Sequence, residues 1–160
     1  MTRVLLALGA NLGDRLANLR AAVRMLEAAG IEVTAKSDVW ESLPVPEGQP
    51  PYLNAALVTE TDSEPLELLA MVKLIEQQLG RRDGKRWGPR PIDIDILFHG
   101  DLVVTSETLT IPHPLIRERA FVLGPLGDVF EGPLPVLGVT AEALLRAVGM
   151  EGVRRTADRL

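Results

Sequence analysis

The chain has no cysteine, two histidines and only 4% aromatic residues among its 160 positions. Without thiols there can be no disulfide and no thiolate metal centre, which fits a reducing compartment, so a cytoplasmic location is expected. The scarcity of aromatics and a net charge of -5 argue against a nucleic-acid binder, which would need a basic face. No apolar run approaches the roughly 20 residues of a membrane helix. The stretch from Val4 to Ala10 is at the short limit for a secretory signal, and no cleavage pattern follows it, so it reads as a first buried strand. A Walker A loop is also missing: 9-GANLGDR-15 contains glycines but not the Gly-Lys-Ser/Thr ending, and Gly9 and Gly13 read as turn residues.

What is present is a globular pattern. Hydrophobic residues make up 46% and charged residues 24%, enough for one domain over residues 1–160 with a core of its own. Val4–Leu8 reads as a strand. Leu16, Leu19, Val23 and Leu26 then repeat at helical spacing, with Asp14 as N-cap and Gly30 as stop. Ile31–Trp40 reads as a second strand and Tyr52–Thr61 as a third. Between them, 43-LPVPEGQPP-51 holds four prolines and a glycine and forbids regular structure. A second helix follows, capped by Ser63 and carrying Leu66, Leu69, Val72, Ile75 and Leu79 on one face, with Gly80 ending it. Ile92–His99 is the fourth strand. This β-α-β-β-α-β order predicts an α+β, ferredoxin-like core with an antiparallel sheet. The remainder predicts a hairpin around Leu102–Val104 and Leu109–Ile111, a Pro-rich crossing, and a short helix from Thr140 to about Val148.

The run 86-RWGPRPIDIDILFHGD-101 carries the chemistry. Strand alternation turns Asp93 and Asp95 to one face, about 7 Å apart, and Ile92, Ile94 and Ile96 to the other. Two such carboxylates repel unless a cation lies between them, and magnesium, which takes one or two carboxylates plus water and phosphate, is the natural candidate. The same alternation also describes a strand with one solvated face. Arg81, Arg82, Lys85, Arg86 and Arg90 lie just upstream, opposed only by Asp83, and such a loop suits polyphosphate. Tyr52 and Asn54 share a strand face and could stack on and hydrogen-bond a flat heterocycle; Tyr52 could equally cap the core. His113, between prolines and followed by Arg117, Arg119 and Phe121, suits an anion or a rigid turn. Trp87 marks either a ligand or lid, or an anchor for its loop. His99 is assigned no role.

These residues resemble a known family. The runs 80-GRRDGKRWGPRPIDIDILFHGD-101, 52-YLNAAL-57, 8-LGANLGDR-15 and 111-IPHPLIRERAFVLGPL-126 are similar to 6-hydroxymethyl-7,8-dihydropterin pyrophosphokinases of folate biosynthesis. The resemblance covers nearly the whole chain and is least specific in the last thirty residues. It implies transfer of the β,γ-diphosphate of ATP to the pterin hydroxymethyl group, with two Mg2+ ions held by Asp93 and Asp95. It implies a pterin stacked between Tyr52 and Phe121, its edge read by Asn54 and by the backbone of Ser42, Leu43, Pro44 and Val45, with Trp87 and Asp93 adjoining. Arg81 and Arg90 are the implied catalytic cations beside Asp93 and Asp95. ATP would be met by Lys73, Glu76, Arg81, Arg86, Trp87, Arg90, His113 and Arg119, and its adenine by Leu69, Ile96 and Thr110. Two positions depart from the pattern: Asp83 stands where many relatives have a second loop arginine, and Lys73 where some have glutamine. A monomer with only small-molecule partners is expected. Two rival readings stand beside this one: an RNA-binding module on the same fold, and a magnesium-dependent phosphohydrolase.

Overall fold

A computed structural model describes residues 1–43, 48–80 and 90–160. The expected positions Pro44, Val45, Arg81, Arg86 and Trp87 lie outside the described residues.

The chain runs through β1 (Thr2–Ala10), α1 (Arg15–Ala28), β2 (Glu32–Lys36), β3 (Asp38–Ser42), β4 (Tyr52–Thr61), α2 (Pro65–Gln78) and β5 (Asp93–His99). A two-stranded hairpin of β6 (Val104–Thr105) and β7 (Thr110–Ile111) follows, then α3 (Ala120–Val129), α4 (Ala141–Val148) and β8 (Val153–Arg159). The main sheet has the order β5-β1-β4-β3-β8, with β2 also pairing to β4. Every pair that β1 and β4 make is antiparallel. This is the expected ferredoxin-like order with its second strand split in two. The split falls at Ser37, whose backbone N–H donates to the Ala56 carbonyl at 3.0 Å while its hydroxyl accepts from the Ala56 N–H at 2.8 Å. The serine side chain does locally what a ladder carbonyl would do.

Helix boundaries follow local chemistry. Asp14 caps α1, accepting from the Ala17 N–H at 3.1 Å. The cap of α2 is Glu64 rather than Ser63: Pro65 occupies the first turn, and the Glu67 carboxylate reaches back to the Glu64 N–H at 3.1 Å.

The sheet is covered on both faces. On one, Leu6, Leu8, Ile94 and Ile96 pack with Leu19, Val23 and Leu26 of α1 and Leu68, Val72 and Ile75 of α2. On the other, Leu5, Ala7, Ala56 and Phe98 pack with Val122, Leu123 and Leu126 of α3 and Leu144 of α4. Each fully buried Leu contributes about 1.5–3 kcal/mol. The second layer corrects the expectation of a Pro-rich crossing. Residues 120–129 form a helix despite Pro125 within it, because apolar burial against the sheet outweighs the lost hydrogen bond. Gly124 lets that helix approach closely: a Cβ there would lie 2.8 Å from the Trp40 ring. Strand β8 was not expected either. Its sequence VRRTADR has no apolar alternation, and charge holds it: Arg154 reaches Glu41 at 2.7 Å and Arg155 reaches Asp38 at 3.0 Å.

Candidate active site

The site is a cleft of about 540 Å3 on the α3 side of the sheet, lined by residues of β1, β3, β4, β5 and the first turn of α3. Its floor is one row of the sheet. Gly9 pairs with Asp93 on one side and with Asn54 on the other, and Asn54 pairs with Trp40. Cross-strand partners share a face, so the carboxylate of β5 and the amide of β4 stand on the same floor, one bare residue apart. The next row sets Asp95 beside Ala7. Gly9 is therefore not the turn residue it was expected to be. It lies inside β1, and a Cβ there would touch the Asn54 Oδ1 and the Tyr52 ring at 3.5 Å, filling the middle of the floor.

One end of the cleft is charged. Asp93 lies 3.6 Å from the Arg90 guanidinium, and Asp95 lies 3.9 Å from that of Arg119. Burial, then the Asp93 charge, pushes the Asp95 carboxyl up to about 7 against the pull of Arg119. Among the described residues no third His, Cys, Asp or Glu completes a cluster with the pair. Two oxygen donors facing a cleft, one of them kept from full ionisation by burial and then by its neighbour, fit a hard divalent cation that keeps water and phosphate as its other ligands.

Glu76 and Lys73 approach from α2. Glu76 is buried, its Oε2 accepts the Ile94 N–H at 2.8 Å, and its Oε1 lies 3.3 Å from the Lys73 ammonium. Because β5 is the edge strand, this carboxylate takes up an amide that no neighbouring strand could reach. Lys73 lines the cleft; Glu76 stands behind it.

His113 is set by a bulge. The β1–β5 register shifts between Leu5 and Leu6, leaving Leu97 as the extra residue, and its carbonyl accepts the His113 N–H at 3.1 Å. Nδ1 of His113 accepts the Leu115 N–H at 3.2 Å. A backbone amide can only donate, so the neutral ring carries its proton on Nε2. Burial and the Arg119 charge hold His113 down to about 4, against the pull of Asp93.

The other end is flat and apolar. Tyr52, Leu43, Phe121 and Val122 line it, with Ser42 and Asn54 below. The Asn54 Nδ2 donates to the Ser42 hydroxyl at 2.8 Å, which turns its Oδ1 toward the open floor. Arg119 sits over the Phe121 ring, 5.5 Å from its centroid, and joins the two ends.

The structure thus brings together Ser42, Leu43, Tyr52, Asn54, Lys73, Arg90, Asp93, Asp95, His113, Arg119 and Phe121. It does not bring Leu69, Ile96 or Thr110 into the lining: Ile96 is in the core, Leu69 packs against that core, and Thr110 is on the hairpin. Sequence reasoning missed Ala7, Leu8, Leu115 and Val122, ordinary apolar residues with no chemical signal of their own.

Fold and cleft define an α+β domain with a paired-carboxylate, anion-ready site. Residues 5–131 match the family model of 7,8-dihydro-6-hydroxymethylpterin-pyrophosphokinase (HPPK), and the chain belongs to that family. It is 41% identical over 151 residues to the 2-amino-4-hydroxy-6-hydroxymethyldihydropteridine pyrophosphokinase of Bacillus subtilis, covering 93% of this chain and 87% of that protein. It is 47% identical over 127 residues to the mitochondrial folate synthesis bifunctional protein of Pisum sativum, covering 79% of this chain but 25% of that one. The fold is similar to that of wild-type Plasmodium falciparum HPPK-DHPS with pteroate, at TM-score 0.76 and 15% identity, over 96% of this chain and 47% of that chain. The chain therefore spans about a quarter of the plant bifunctional proteins it matches, and about half of the solved bifunctional chain.

Proposed function

We propose that this protein transfers the β,γ-diphosphate of ATP to the hydroxymethyl group of 6-hydroxymethyl-7,8-dihydropterin. The products are AMP and the pterin diphosphate, and the step belongs to folate biosynthesis. The observation that carries this reading is the floor row Asp93–Gly9–Asn54. It sets a metal-ready carboxylate and a heterocycle-reading amide on one surface, with cations at one end and aromatic rings at the other. The pyrophosphokinase names of the Bacillus subtilis relative and of the matching family support it.

The pterin lies between Tyr52 and Phe121. The Asn54 Oδ1 and the backbone near Ser42 and Leu43 read its edge. Asp93 and Asp95 would hold two Mg2+ ions. When bound, the ions neutralise triphosphate charge and polarise the oxygens of the transferred group. Arg90 and Arg119 stand beside the carboxylates as further counter-charges, and the Nε2–H of neutral His113 is a donor for a phosphate oxygen. Lys73, with Arg81, Arg86 and Trp87, serves the nucleotide, and Glu76 steadies Lys73. The adenine lies beyond the cleft, toward Leu69, Ile96 and Thr110.

In the reaction the hydroxymethyl oxygen attacks the β-phosphorus in line. The bond from that phosphorus to the α,β-bridging oxygen breaks, AMP leaves with the electron pair, and the hydroxyl proton is lost. Catalysis is mainly positioning and charge neutralisation, so no side chain is assigned as general base. The protein acts as a monomer on small molecules in the cytoplasm.

Phosphorus NMR of a reaction with ATP, magnesium and the hydroxymethylpterin tests this. AMP and a pterin diphosphate are expected, and neither in EDTA. ADP, or AMP with free diphosphate formed without pterin, would overturn it.

A further inference from the structure

We propose that Asn11 is a positioning residue that ties the two walls of the cleft together and so fixes the separation of nucleotide and acceptor. Asn11 follows β1 directly and is 1% exposed. Its backbone N–H donates to the Arg90 carbonyl at 3.0 Å, and its Oδ1 accepts the Arg90 N–H at 2.7 Å. Its Nδ2 donates to the Gln49 Oε1 at 3.1 Å and to the Pro50 carbonyl at 3.2 Å. The amide orientation is unambiguous, because the Arg90 N–H can only donate and the Pro50 carbonyl can only accept.

What these bonds join gives the residue its role. Arg90 is the cation beside Asp93, at the charged end of the cleft. Gln49 and Pro50 lead into Tyr52, at the flat end. The sheet fixes the floor, but Gln49, Pro50 and Arg90 lie outside its strands and outside any helix. Asn11 is a single rigid side chain bonded to both, 38 residues from one in sequence and 79 from the other. Arg15 supports the same wall, donating to the Pro51 carbonyl at 2.9 Å. The Asn11 backbone N–H and both side-chain polar atoms are engaged, and Asn11 is not part of the cleft lining, so it acts through Arg90 and the 49–51 segment.

The inference rests on the pyrophosphokinase reading of the cleft, and its test has one arm that needs no turnover. In N11A, hydrogen exchange is expected to speed up about tenfold at the Arg90 amide and in peptides spanning 49–52, with the β1–β4 amides unchanged. Turnover is expected to fall about 100-fold, with KM for either substrate within about threefold, as for a reactant misplaced by about an ångström. N11D keeps the acceptor for Arg90 but loses both donors, so only the 49–52 peptides are expected to loosen. Q49A is expected to slow the wild type about threefold and to add nothing in N11D. Wild-type turnover in N11A, or exchange unchanged in both segments, would overturn the proposal. If N11A does not fold, an undiminished Q49A effect in N11D overturns it. A wild-type protein that makes no pterin diphosphate defeats the functional reading instead, while the exchange arm still reports on Asn11.

Discussion

Replacing Asp95 by Asn is expected to stabilise the metal-free protein while it destroys activity. The Asp95 carboxyl is held up at about 7 from 3.8, first by burial and then by the Asp93 charge. A folded-state pKa above the unfolded one means that the fold binds this proton more tightly than the open chain does. The associated stability is fully present below about pH 4 and is lost as pH rises through 7. At full strength, a displacement from 3.8 to about 7 corresponds to about 4 kcal/mol. The side chain keeps 35% of its surface in solvent, so screening reduces the cost at pH 8 to about 2 kcal/mol. An asparagine of the same shape carries no charge and escapes this cost. Thermal unfolding in EDTA at pH 8 is the assay, with Tm expected to rise by about 4–8 °C in D95N. The gain should shrink toward zero as the pH is lowered toward 4. Adding Mg2+ and a non-hydrolysable ATP analogue should raise the Tm of the wild type and not of the variant. A D95N protein no more stable than wild type at pH 8 would refute the reasoning, because burying the Asp95 charge beside Asp93 would then carry no cost.

Three further outcomes follow from the same geometry. His113, held down to about 4, is expected to stay neutral from pH 8 to 5, with proton NMR shifts flat across the range where a free imidazole titrates. Its contribution to stability is present above pH 6.5 and lost as pH falls through 4. Phe121→Ala should weaken equilibrium pterin binding by about 10- to 100-fold while leaving ATP-analogue binding within about threefold, since a flat ring loses one stacking face. Gly124→Ala should cost about 1–3 kcal/mol in urea unfolding, because its methyl would press on the Trp40 ring and α3 would have to lift.

The sequence exposed those parts of the site where chemistry and periodicity coincide. Asp93 and Asp95 stood out because carboxylates at period two interrupt an isoleucine run, and that period also put them on a common face. Strand Tyr52–Thr61 was legible to the residue for a similar reason: prolines bound it on one side and a helix start on the other. The α3 layer was obscured by Pro125, and β8 by charges that only partners distant in sequence explain. Asn11 could not be read at all. An isolated asparagine between glycines looks like a turn, and only the folded chain shows that Arg90 and Pro50 meet it. Gly9 failed for the opposite reason, since its turn propensity was real but a paired neighbour on each side overrode it.

The row Asp93–Gly9–Asn54 has a consequence for how such a site can change. Adjacent strands lie about 4.8 Å apart, so the strands that carry Asp93 and Asn54 are about 10 Å apart whatever side chains they carry. No point substitution can stretch or shorten that interval in the floor, even where loss of a wall contact such as that of Asn11 shifts a reactant above it. Mutation can retune the side chains above this floor, or how firmly the walls are held, but the step between Asn54 and Asp93 is counted in whole strands. An acceptor longer or shorter by one strand width would call for another order of strands rather than another residue.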